Sequence, residues 1–130
     1  MAGPALTATS LQVSITVNDL QKSLRFYVDG LGFVAGDKHE ANGKLMYVSL
    51  SAGGASIGIA QDDFAKGRDR VKGVGLRLFI GTSQDVTALA ARAKAAGIKL
   101  DGDPAPLPWG PMAFALTDPD GFKITISNER

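Results

Sequence analysis

Thr117-Asp118-Pro119-Asp120-Gly121-Phe122-Lys123-Ile124-Thr125-Ile126 reads as a tight turn feeding a strand. Pro119 fixes φ, the two aspartates can accept from nearby amides, and Gly121 supplies a positive φ without strain. Phe122, Ile124 and Ile126 then alternate with Lys123, Thr125 and Ser127, the period of a half-buried strand. One face of that strand enters a core. The other, with Lys123, Thr125 and Ser127, meets water or a cavity.

Upstream, the same unit can be read twice. Leu11 to Val17 alternates, with Val13, Ile15 and Val17 toward a core and Gln12, Ser14 and Thr16 away from it. Asn18-Asp19 starts an amphipathic helix that runs to about Asp29 and is closed by Gly30. Strands follow over Phe33–Lys38, Leu45–Leu50 and Ala55–Ala60, with a hairpin turn at Asn42-Gly43. Gln61 to Lys72 is a polar connector in which Asp62 and Asp63 are expected to be solvated. Then Val74, Leu76, Leu78 and Ile80 alternate against Gly75, Arg77 and Phe79. Ser83 caps a helix over Gln84–Ala96, and Gly97 ends it. A strand begins at Ile98–Leu100, is interrupted by Pro104–Pro111, and gives way to Met112–Leu116 and Phe122–Ser127. Residues 1–130 are thus expected to form a single domain: module one over about 8–62, a connector over 63–72, and module two over about 73–128. Each module is a small sheet with one helix on its back, an α+β arrangement whose other sheet face stays open.

Composition narrows the functions. At 130 residues, 45% hydrophobic and net charge +1, the chain is ordinary for a globular domain. No basic cluster tracks a phosphate backbone, so no nucleic-acid partner is expected. No stretch approaches a membrane span, and Met1 to Ser10 lacks the pattern of a signal peptide, so the expected location is cytoplasmic. Without cysteine there is no disulfide framework, thiolate metal site or cysteine nucleophile.

Val17-Asn18-Asp19-Leu20, Ser23, Phe26-Tyr27 and Leu31-Gly32-Phe33 in the first half, with Asp118-Pro119-Asp120-Gly121 and its strand in the second, resemble the vicinal oxygen chelate superfamily. That superfamily holds the glyoxalases, the bleomycin-resistance proteins and the extradiol dioxygenases. The resemblance implies paired βαβββ modules: eight mixed strands in concave sheets around a cavity, with two main helices outside. It also implies a homodimer whose cavities lie between subunits. In the metalloenzymes four concave-face side chains hold a divalent metal. By motif those positions fall on Gln12, Gly58, Gly75 and Thr125. Glycine has no side chain to donate, and a threonine hydroxyl is a poor ligand where imidazole and carboxylate are wanted. The four-ligand site is therefore expected to be absent, and no cofactor is assigned.

Candidate ligand-binding residues are Gln12, Ser14, Met46, Arg77, Phe79, Trp109, Phe114 and Thr125. Arg77 either makes an interface salt bridge or anchors a carboxylate or phosphate. Trp109 either packs structurally or lines a pocket. Met46, Phe79 and Phe114 are candidate pocket walls with core packing as the alternative. His39, the only histidine, is expected to be an exposed hairpin residue away from the four motif positions. Three functions compete. One is a metal-independent binder of an organic small molecule, extending to antibiotic sequestration, with glycines enlarging the cavity. The second is a metal-dependent lyase or dioxygenase with an altered ligand set. The third is a regulatory or interaction module with no small ligand.

Overall fold

The computed structural model describes residues 5–128, so the N-terminal stretch read above for a leader lies partly outside it. Module one runs β1 (Val13–Val17), α1 (Leu20–Leu24), a π-helical segment (Arg25–Gly30), β2 (Val34–Ala41), β3 (Lys44–Ala52) and β4 (Ala55–Gln61). Module two runs β5 (Arg77–Thr82), α2 (Val86–Ala95), β6 (Leu100–Pro106), β7 (Met112–Thr117) and β8 (Lys123–Asn128). The two four-stranded sheets repeat one topology, β1-β4-β3-β2 and β5-β8-β7-β6. In each, the first and fourth strands pair in parallel and the rest antiparallel.

Alternation decides the faces. Ile15, Val17, Val48, Leu50, Ile57 and Ile59 are buried on the core side of the first sheet. Leu78, Phe114, Leu116, Ile124 and Ile126 do the same in the second, and both sets belong to one buried cluster. Phe114 is therefore a core residue, 2% exposed, and no pocket wall. No helix among the described residues is long and apolar enough to cross a membrane.

The helices differ in detail from expectation. Asp19 caps α1, accepting from the Lys22 amide at 3.2 Å. After Leu24 the coil widens, with the Leu31 amide donating to the Phe26 carbonyl at 3.2 Å and the Phe33 amide to that of Tyr27 at 3.0 Å. The wider turn accompanies burial of the successive residues Phe26 and Tyr27, whose rings meet edge to face at 4.9 Å. Gly30 does not supply the left-handed turn; Gly32 does, at φ +85°. Gly30 instead leaves room for the Ile98 side chain of module two, which a Cβ there would strike. Asp85, not Ser83, caps α2 by accepting from the Thr87 amide at 2.9 Å. Gly97, at φ +89°, ends it with the Ile98 amide returning to the Ala93 carbonyl at 3.0 Å.

Three strand expectations also change. Val74 and Leu76 lie outside β5 and are 80% and 39% exposed. Gly73 and Gly75 stand at φ +74° and +77°, which breaks the extended run that their alternation implied. The strand β6 continues through Pro104 to Pro106 rather than stopping before them. It lies at the sheet edge, where a missing N–H costs no ladder bond. Asp62 is buried, not solvated. It pairs with Lys72 at 2.8 Å and Arg70 at 3.2 Å and accepts from the Phe64 amide at 2.9 Å.

Candidate functional site

The faces opposite the core carry the candidate residues. On the first sheet, register sets Ser14 and Ser49 beside Gly58, and Thr16 and Tyr47 beside Ala60. His39 is the strand partner of Tyr47. It thus lies within β2 on this same face rather than apart from the motif positions. Met46 has the opposite parity. It shares the core-side face with Val48 and Leu50 and lines a cavity of about 510 Å³ beside Leu45, Phe64 and Arg68. It does not join Gln12 and Ser14.

Tyr47 dominates the centre of the first face. Its phenol lies over Gly58, where a Cβ would come within 2.9 Å of Cε1 and 3.0 Å of the Gln12 amide nitrogen. The Gln12 Nε2 donates to Tyr47 Oη at 3.0 Å. The hollow expected at Gly58 is therefore filled by a neighbouring ring. Sequence reading overlooked Tyr47; its signal was a tyrosine at even spacing from Ser49 and Ser51, on a strand face that otherwise meets Ser14, Thr16, Gly58 and Ala60.

On the second sheet, register aligns Phe79, Thr125 and Ala115 in one row, and Gly81, Ser127 and Ala113 in the next. Arg77 Nη1 donates to Thr125 Oγ1 at 2.8 Å. Phe79 and Trp109 are 53% and 65% exposed, yet their rings meet at 6.4 Å with planes tilted by 31°. Phe79 is on β5, whereas Trp109 sits in the loop joining β6 to β7. With strands about 5 Å apart, the indole must reach across the sheet to meet it. The result is an exposed aromatic pair bordering small residues. Gly75 lies before β5 in open space, with no atom within 4 Å of an added Cβ.

The four motif positions do not suit a metal. Gly58 is roofed by Tyr47, Gly75 offers no donor, and Thr125 already accepts from a guanidinium, which leaves the Gln12 amide oxygen as a single neutral ligand. A cation placed at Thr125 would face the charge of Arg77 across a few ångströms. Among the described residues no group of three His, Cys, Asp or Glu side chains is placed to hold a metal ion.

The Asp118-to-Gly121 turn is built as read, and it also couples the modules. Asp118 Oδ1 accepts from the Asp120 and Phe122 amides, both at 2.9 Å. Its Oδ2 accepts from the buried Tyr27 hydroxyl at 2.7 Å, and Asp120 accepts from the Asn18 amide at 2.8 Å. Burial pushes the Asp118 carboxyl up, against the lowering effect of Tyr27 and the two amides. Burial, then the Asp118 charge, pushes the Tyr27 phenol well above its ordinary range.

The fold is shared with known proteins. TioX from Micromonospora sp. ML1 superposes with a TM-score of 0.77 at 18% identity, over 95% of this chain and 100% of that one. TnmS3, an antibiotic binding protein from Streptomyces sp. CB03234, gives 0.71 at 27% identity, over 98% and 100%. A superfamily member from Sphaerobacter thermophilus DSM 20745 gives 0.69 at 27% identity, over 95% and 98%. No curated protein sequence matches the chain. The sequence profile of one family matches residues 9–126, and with the paired βαβββ sheets it places this chain in the Glyoxalase/Bleomycin resistance protein/Dioxygenase superfamily.

Proposed function

We propose that this chain is a metal-independent binder of planar aromatic small molecules, acting as a cytoplasmic single-domain homodimer in which concave faces from the two copies enclose the ligand. The observation that carries this reading is the exposed Phe79–Trp109 pair beside a sheet face of alanine, glycine, serine and threonine. Exposed aromatic rings at the edge of such a face offer a stacking surface to a planar ligand. Arg77 stands on the same face and would meet an acidic group on the ligand. TnmS3 binds antibiotics, and antibiotic sequestration is the form of the reading that this likeness favours.

The experiment is a titration of the full chain with planar aromatic natural products, read by the fluorescence of Trp109, the only tryptophan. Saturable quenching without added metal, weakened about tenfold in Phe79→Ala, is the expected result. Absence of saturable binding across the panel would overturn the reading.

A further inference from the structure

Tyr47 is placed to be a hydrogen-bond donor that the protein itself leaves unused. Its oxygen is 3.0 Å from the Gln12 side-chain nitrogen, and no other described residue bonds it. A phenol oxygen that accepts from an amide still carries its own proton for a further acceptor. Turning the Gln12 amide over does not change the balance: the phenol then donates to the amide oxygen, and the free –NH₂ faces outward instead. Either way the pair has a donor in surplus, on an open sheet face.

The placement depends on Gly58. Its missing Cβ leaves space for the edge and hydroxyl of the ring over β4, at the position where the superfamily's motif would put a metal-binding carboxylate. Module two repeats the device. Gln12 lies two residues before Ser14, the partner of Gly58; Arg77 lies two residues before Phe79, the partner of Thr125. In each case the earlier residue sends an N–H to a hydroxyl at or over the fourth-strand position: Gln12 to Tyr47, Arg77 to Thr125. Each hydroxyl accepts from nitrogen, and each is left with a proton to give.

We infer that Tyr47, oriented by Gln12 and admitted by Gly58, is a recognition site for a carbonyl or phenolate oxygen of the ligand. This rests on the small-molecule reading above and adds the chemical class: an aromatic compound bearing an oxygen acceptor. A polarised hydroxyl takes over the oxygen-gripping task by hydrogen bonding. Gln12 is a positioning residue; Tyr47 is the one that touches the ligand.

The test uses the full chain and a matched probe pair, fluorenone-2-carboxylate and fluorene-2-carboxylate, which differ by one ketone oxygen. Affinities are measured by calorimetry for wild type, Tyr47→Phe and Gly58→Ala. Wild type is expected to prefer the ketone by about tenfold, the worth of one good hydrogen bond. Tyr47→Phe should lose that preference while holding fluorene unchanged. Gly58→Ala should do the same by displacing the ring, though it removes no polar group. Equal affinity for both probes in wild type, or a preference that survives Tyr47→Phe, would overturn the inference and leave the binding reading standing. If neither probe binds, the inference falls, and the binding reading is decided by the wider aromatic panel.

Discussion

The Tyr27 hydroxyl of module one donates to Asp118 of module two at 2.7 Å, and both groups are buried. The bond ties the end of the first helical segment to the turn before the last strand, 91 residues on. Tyr27→Phe leaves the Asp118 oxygen facing apolar surroundings with one partner fewer. The expected cost is about 1–3 kcal/mol, measured as a lower urea midpoint with an unchanged slope. An unaltered midpoint would mean that this bond adds nothing to the joining of the modules.

Two aspartates are expected to shape the acid limb of stability in opposite senses. Asp118 is raised, chiefly by burial. Its folded form holds a proton more tightly than the unfolded chain does, so its favourable contribution is fullest below the ordinary aspartate range and is lost as pH rises through the folded value. Asp118→Asn should remove that decline and make stability flatter as pH rises above the ordinary aspartate range.

Asp62 is lowered, first by the hydrogen bond from Lys72, then by the Phe64 amide, against the opposing effect of burial, with further lowering from Arg70 and from the Lys72 charge. Its contribution is present above the ordinary aspartate range and is lost as pH falls through the folded value. Asp62→Asn should therefore weaken the protein at pH 7 and blunt its acid unfolding. A series of denaturation curves from pH 3 to pH 7 distinguishes the two variants by the sign of the change in slope.

Gly73 and Gly43 both have positive φ, at +74° and +77°, but their surroundings differ. A Cβ at Gly73 would press on the backbone of Gly121 and come within 2.6 Å of the Phe122 nitrogen, whereas Gly43 has nothing within 4 Å. Gly73→Ala should cost at least about 3 kcal/mol, and Gly43→Ala only the local strain of about 1 kcal/mol. Thermal melts of the two variants check the ranking.

The order of elements was legible because alternation and turn chemistry are local. Val13, Ile15 and Val17, the Asn42-Gly43 turn and Gly97 act as the sequence implied. What failed was decided elsewhere in space. The alternation of Val74 and Leu76 looked like strand, but two left-handed glycines intervene, and only the contact of Gly73 with the Gly121 turn explains the first of them. Asp62 looked solvated because Arg70 and Lys72, which bury it, follow it by eight and ten positions with no regular period. Parity and motif put Gln12, Arg77, Phe79 and Thr125 on the sides of their strands away from the core, where the register has them. Tyr47 was not legible, because the sequence does not say that a ring from β3 would lie on a glycine of β4.

Gly30 makes room for Ile98, and this has an evolutionary meaning. If the two modules descend from one duplicated ancestor, each copy could diverge freely on its outward surface. At this spot the copies became interlocking parts, a notch and a peg. A lineage that gains a side chain at 30 must shorten residue 98 at nearly the same time, so homologous sequences should change at these two positions together or at neither.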